Sequence, residues 1–498
     1  MEENLVKTCF DSDKYLQLQS EKIRQKMEQF DNKLYMEFGG KLFDDYHASR
    51  VLPGFDPNIQ MKLLEAFKND CEIIITISAN DIEKNKIRAD FGIPYDMEVL
   101  RLMDIFRSRG LLVSGVIITL FNNQPAAVKF KEKLEFNGEK VYCHTYTKGY
   151  PTDVETIVSE EGYGKNDYVE TTKPLVIVTA PGPGSGKLGT CLSQLYHEYK
   201  RGVKAGYVKF EKFPVWNLSL KHPINIAYES ATADLEDVNL LDSYHLEAYN
   251  EVAVSYNRDL QAFPVVRNIL RKIVNDDIYK SPTDMGINTV ASCITDDSLA
   301  QQSAKDEIIR RYYRAKVDVK KGEASKQCEE RIRLLMNELD LDTYDRKCVK
   351  PAEEKEVQSG QPSVALELSD GRIVTGRTTS LLTSCASVIL NALKVISGID
   401  DKFELISSQV LEPIMDLKKN NLGEEESILT LKDVLIALSI SAGYNTLAKV
   451  AYNNLYKLKG CQAHSTHIVS PSNEAIMRKL KIVLTSGDNF ATKKLFES

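Results

Sequence analysis

The sequence predicts a multidomain α/β protein: an amino-terminal α/β domain with a mostly parallel sheet, a helical middle segment and a smaller carboxyl-terminal α/β domain. Three observations lead there. Short β-branched apolar runs, such as Cys71-Glu-Ile-Ile-Ile-Thr-Ile77 and Pro174-Leu-Val-Ile-Val-Thr179, alternate with helical periodicities as far as about residue 210, the pattern of strands joined by crossover helices. From about Asp259 long, charged, amphipathic patterns dominate, which marks a change to helix. Past a Lys- and Glu-rich stretch, Ser369-Asp370-Gly371 separates two apolar runs and signals a hairpin, because Asp-Gly supplies the turn that two twisted strands need. With 498 residues the chain exceeds one ordinary core. The expected segments are 1–255, 256–355 and 356–498.

Element by element, Glu21–Phe30 reads as a charged helix, and Lys33–Phe38 as a strand that stops at Gly39-Gly40. A strand at Cys71–Ile77 precedes a helix over Tyr95–Gly110. Leu111–Phe121 is strand-like, Pro125–Gly138 helical, and Glu139–Tyr146 and Pro174–Thr179 are strands again. A helix over Thr190–Lys200 and a strand over Lys204–Phe210 follow. Asp318–Ser363 is the linker candidate, with Glu329–Leu339 inside it also readable as a helix. Beyond it come the hairpin strands Val364–Leu368 and Arg372–Thr375, and apolar helices over Ser380–Ser397, Leu431–Ala442 and Tyr444–Leu458. Short strands are expected at His467–Ser470 and Ile482–Thr485.

Hydrophobic residues at 43% and charged residues at 27% describe an ordinary globular chain, and a formal net charge of −7 argues against general nucleic-acid binding. Nine cysteines, an odd number without a C-x-x-C pair, read as reduced thiols, and no metal site is expected. Met1–Asp13 has no apolar core of signal-peptide length. No segment approaches the roughly 18 uninterrupted apolar residues of a membrane span. The expectation is a cytoplasmic protein with no membrane partner.

The stretch Val178-Thr-Ala-Pro-Gly-Pro-Gly-Ser-Gly-Lys-Leu-Gly-Thr190 joins a strand to a helix. Such a turn presents free amides and the positive helix end to an anion, and Lys187 adds a mobile cation. The phosphate-binding residues expected are therefore Gly182, Gly184, Ser185, Gly186, Lys187 and Thr190. The Walker pattern is incomplete, with Pro181 where it requires Gly and Leu188 where it requires a hydroxyl. Thr190 is rotated about 200° along the helix from that position and lies one turn above Lys187. Magnesium is thus not required by the motif. The same glycines also serve a tight strand–helix turn with a solvated Lys187.

Other segments carry chemistry-bearing groups. After Gly39-Gly40 come Lys41, Asp44, Asp45 and His47, candidates for acid–base or ligand-orienting roles, or simply a charged helix face. Asn80–Arg88 follows a strand end, and Ser281–Asn288 combines turn, acid and amide residues. Val238–Asp242 is a thin imitation of a magnesium-binding strand end. Near the carboxyl terminus, Thr375–Ser380, Cys461, His464 and His467 gather hydroxyls, a thiol and imidazoles, which serve catalysis only with a base and an oxyanion donor in reach.

Several long motifs, FGGKLFDDYHASRVLPGF, NDIEKNKIRADFGIPYDMEVLR, EGYGKNDYVETTKPLVIVTAPGPGSGK, SPTDMGIN and GCQAHSTHI, resemble uncharacterised protein family 0371, domain of unknown function 1846, a bacterial family, across nearly the whole chain. The resemblance implies a cytoplasmic multidomain protein of the architecture above and names no substrate. The residues themselves point to a phosphate-bearing small molecule or nucleotide at Gly182–Lys187, within phosphoryl or phosphate-ester chemistry. The alternative is a metabolite-binding or assembly protein without turnover, in which the helical segment joins copies into a homo-oligomer.

Overall fold

A computed structural model describes residues 7–88, 92–424 and 428–491. The opening segment Met1–Asp13 and the motif crossing residues 89–91 lie partly outside the described residues. The chain divides into two compact units, residues 1–304 and 305–498.

The first unit is built on seven strands: β1 (Leu34–Phe38), β2 (Cys71–Ser78), β3 (Leu112–Thr119), β4 (Val141–Cys143), β5 (Leu175–Thr179), β6 (Gly206–Phe210) and β7 (Gly286–Ile287). They form one sheet in the order β7-β6-β1-β5-β2-β3-β4, and every neighbouring pair is parallel. All eight residues of β2 and all five of β5 are buried, which is why these strands read as continuous apolar runs instead of alternating ones. Helices Ser12–Glu28, Tyr95–Ser108, Pro125–Phe136, Lys187–Lys200 and Asn257–Val274 supply apolar stripes to the same core, among them Ile23, Phe106, Phe130, Leu195 and Phe263.

The order of the strands fixes where the edge opens. From β5 the chain returns to β6 on one side, whereas β2 proceeds to β3 on the other; neighbouring β6 and β1 diverge in the same way. Strands whose successors part in opposite directions leave a crevice at their carboxyl ends. The amino edge is closed by structural bonds instead: the buried Glu72 carboxylate accepts from the amides of Thr172 and Lys173 and from the Ser114 hydroxyl.

The second unit holds a four-stranded sheet of β8 (Ser363–Glu367), β9 (Ile373–Arg377), β10 (Gln462–His467) and β11 (Val483–Asn489), ordered β9-β8-β10-β11. The expected hairpin is present as antiparallel β8 and β9, while β10 and β11 pair in parallel. Two expectations change. The strand placed at 467–470 is Gln462–His467 instead, since residues 468–470 lead into the helix Pro471–Lys479, which Ser470 caps. Its polar sequence hid it, because Ser465 and Thr466 bury among hydrogen-bond partners. The linker candidate is largely helical: Lys326–Glu338 matches the helix read over 329–339, and Val349–Ser359 is a further helix where a linker was expected. In the latter helix Pro351 occupies the first turn, where a missing amide is tolerated, and buried Val349 and Ala352 anchor it. The boundaries expected at 255 and 355 fall in the strand Val254–Tyr256 and in this helix.

His144, just past β4, links the fold to pH. Its ring is buried and its Nε2 lies 3.0 Å from the Asp167 carbonyl; burial pushes its pKa down to about 4. A histidine whose folded pKa lies below its unfolded value contributes stability that is present above about pH 6.5 and is lost as pH falls towards 4. Denaturant unfolding at pH 7.5 and pH 5 should therefore show a loss of about 2 kcal/mol attributable to this group. His144→Gln should remove that part of the acid-side slope.

Candidate functional site

Residues 180–186 join β5 to the helix Lys187–Lys200. Gly184 (φ +76°) and Gly186 (φ +83°) adopt left-handed backbone, and Gly186 caps the helix. Gly182 is glycine for a different reason. A Cβ there would lie 2.2 Å from the Tyr95 hydroxyl, so the loop is wedged against the start of helix Tyr95–Ser108. On the other side the Thr119 hydroxyl, from the end of β3, donates to the Ser185 carbonyl at 3.0 Å, and the Ser185 hydroxyl donates to the Gly182 carbonyl at 3.0 Å. The turn is held by its carbonyls.

Its amides are left over. Among the described residues, the backbone N–H groups of Gly184, Ser185, Gly186, Lys187, Leu188 and Gly189 have no protein acceptor, and the first intrahelical bond is Thr190 to the Gly186 carbonyl at 2.9 Å. Lys187, half-buried, likewise has no ion-pair partner among the described residues. The Thr190 hydroxyl is buried without a hydrogen-bond partner, one turn along the same helix. A run of free amides at the positive end of a fourteen-residue helix, with an ammonium beside it, is a geometry that favours negative charge.

The second glycine segment follows β1, the direct neighbour of β5, so the two loops leave strands about 5 Å apart. Gly39 and Gly40 pass next to the loop after β6, with Lys212 Cε 3.8 Å from the Cβ position of Gly40. Asp45 is buried and ion-paired with buried Lys212; it also caps the helix Tyr46–Val51 through the Ala48 amide. Burial works against the Asp45 charge, yet Lys212 outweighs it and holds the carboxyl below the usual range. His47 is buried with its ring 4.6 Å from Tyr228. Lys41 and Asp44 are towards the surface, Asp44 in left-handed backbone with its amide on Asn58.

A third group escaped the sequence reading. Glu37 and Lys209 stand opposite each other in the β1–β6 register. The Lys209 ammonium binds both oxygens of Asp259 at 2.8 and 2.7 Å and also pairs with Glu211, while the Tyr207 hydroxyl donates to Glu37 at 2.8 Å. Burial opposes the Lys209 charge, but the carboxylates prevail and raise its pKa. Burial, reinforced by Asp259 and Glu37, pushes Glu211 up to about 7 against the pull of Lys209. Buried Cys191, in the helix that follows the glycine loop, has its thiol pushed up by burial, with the Glu37 carboxylate acting in the same direction. The available signal was Lys209-x-Glu211 at the end of a strand otherwise buried, a costly placement unless paired.

The remaining candidates make the following local contacts. Asn80 lies inside the helix Ala79–Glu83 and accepts from Gln124, and Asp81 pairs with Lys86 at 3.4 Å. Asp242 caps the helix Ser243–Tyr249 and binds Thr283. Within Ser281–Asn288, the Asn288 amide clamps the Lys212 and Pro214 carbonyls, both at 3.0 Å. Thr375 is in β9, and Thr379 binds the Leu381 and Leu382 amides. In the second unit Cys461 is buried and its thiol is pushed up to about 11 by burial. His464, buried against Tyr313 and bonded to Thr485 at 2.9 Å, is depressed to about 3 by burial and by Arg346. His467 bonds Thr466 and lies 3.4 Å from Glu356. Among the described residues, no three His, Cys, Asp or Glu side chains converge as metal ligands.

Residues 8–340 match the family described as domain of unknown function DUF1846, N-terminal, and residues 344–496 its C-terminal counterpart. The chain belongs to the DUF1846 family. It is 54% identical over 500 residues to a UPF0371 protein of Clostridium botulinum (strain Eklund 17B / Type B), and 53% identical over 500 residues to one of Clostridium tetani (strain Massachusetts / E88). Each alignment covers 99% of both chains. The join between the two DUF1846 matches falls at 341–343, in the turn between helices Lys326–Glu338 and Val349–Ser359.

The two glycines should respond differently to alanine. Gly182→Ala drives a methyl into Tyr95 and should cost about 1–3 kcal/mol, as overpacking does. Gly184→Ala meets open space and carries only the left-handed backbone penalty, about 1 kcal/mol. Chemical denaturation of the two variants checks the order; equal costs would mean that the loop is not wedged against Tyr95.

Proposed function

We propose that the first unit binds a phosphate-bearing small molecule, a nucleotide or a sugar phosphate, at the carboxyl edge of its sheet. The observation that carries this reading is the set of six amides from Gly184 to Gly189, beside Lys187, that have no partner among the described residues. The phosphate would rest on the amides of Gly184, Ser185 and Gly186, with Lys187 neutralising charge. Leu188 offers no hydroxyl to a metal, so the amides and the lysine carry the anion without magnesium. The nine unpaired cysteines fit a reducing, cytoplasmic compartment.

Phosphoryl or phosphate-ester chemistry is the natural extension. Positioning and charge neutralisation are most of what it requires, and Glu211, titrating near neutrality, is suited to move a proton. A second reading, ligand binding without turnover, is favoured by one feature: Asp45 is spent on Lys212, and Asp259 on Lys209.

Lys187→Ala should leave the unfolding midpoint unchanged and weaken phosphate binding roughly ten- to a hundredfold, the worth of a charge-assisted contact of about 1.5–3 kcal/mol. Titration calorimetry with nucleotides and sugar phosphates, with and without magnesium, measures it. Equal affinities in the two proteins for every compound that binds would reduce the loop to a structural turn.

A further inference from the structure

We propose that the second unit carries its own pocket for a small oxyanion, distinct in its residues from the glycine loop. The pocket lies between one face of the helix that ends at Lys321, the residues leading into the helix Pro471–Lys479, and β11. Arg310, Arg314 and Lys321 recur on the helix at spacings of four and seven, which places them on one side. The wall carries these three cations against one acid, Glu474, which lies 3.5 Å from Arg314.

Both guanidinium groups are held from behind. Glu307 takes Nε and Nη2 of Arg310 at 2.6 Å each, and Asp318 takes Nε of Arg314 at 3.0 Å. Among the described residues, Nη1 of Arg310 and Nη2 of Arg314 have no protein acceptor. Carboxylates that fix a guanidinium through part of its fork pre-organise the remaining nitrogen for an anion. Ser486, also lining the space, adds a hydroxyl. The cavity of about 70 Å³ has room for several waters, and so for an anion of a few heavy atoms. Val317, Val469 and Leu484 supply its apolar lining.

Inorganic phosphate, acetate and malonate are the probes, titrated at constant ionic strength into full-length protein carrying Lys187→Ala, so that the glycine loop does not contribute. At least one of them should bind saturably. Arg314→Gln, at a half-exposed position that the fold tolerates, should weaken that binding about tenfold. Ser486→Leu, which fills space without changing charge, should weaken it too, a response that diffuse surface electrostatics would not give. Tighter phosphate than malonate assigns a tetrahedral oxyanion, and the reverse a carboxylate; both support the pocket. Absence of saturable binding by all three probes, or affinities unchanged in both variants, overturns it.

Discussion

A parallel sheet buried on both faces must send every strand's carboxyl end to one edge, and the first unit follows from that constraint. Seven strands in the order β7-β6-β1-β5-β2-β3-β4 bring the ends of β1, β5 and β6 side by side. Gly39-Gly40, the glycine loop and the Lys212 loop are neighbours because the sheet makes them so, although they are far apart in sequence. The opposite edge, where Glu72 ties down residues 172–173, is occupied with holding the fold together.

At the open edge the cations differ in what they already do. Lys209 is half-buried and Lys212 buried, and each is matched by carboxylates; stripping Asp45 from Lys212 would leave an uncompensated interior charge, a loss of about 3–5 kcal/mol. They belong to the scaffold before they belong to any ligand. Among the described residues, Lys187 and the amides of residues 184–189 make no such internal bonds. The helix end they form has its positive pole uncapped by any side chain, since Gly186 at the cap has none. The proposed phosphate site rests on that difference.

Much of this was legible in the sequence where local chemistry and burial agree. Apolar runs at Cys71–Ile77 and Pro174–Thr179 are strands, Asp370-Gly371 is a hairpin turn, and the glycine run joins a strand to a helix. It failed where tertiary contacts override local pattern. The strand Gln462–His467 is polar because its side chains bond inside the unit, and Val349–Ser359 is a helix although its Lys, Glu and Pro content suggests a linker. Strand order was out of reach, since nothing local says that residues 175–179 insert between 34–38 and 71–78. The Glu37–Lys209–Glu211–Asp259 group was missed for the same reason. Its members come from three separate segments, and only pairing in the sheet makes them a cluster.

The claim that the amides of the glycine loop hold the phosphate is tested most directly at those amides. Protein labelled with ¹⁵N at glycine reports Gly184, Gly186 and Gly189 separately, and each can be followed during titration with a nucleotide and with a sugar phosphate. The account predicts that these three resonances move downfield together and saturate at one ligand concentration, as amides that gain a charged acceptor do. If a phosphate compound binds while all three stay in place, the anion lies elsewhere and the account is wrong.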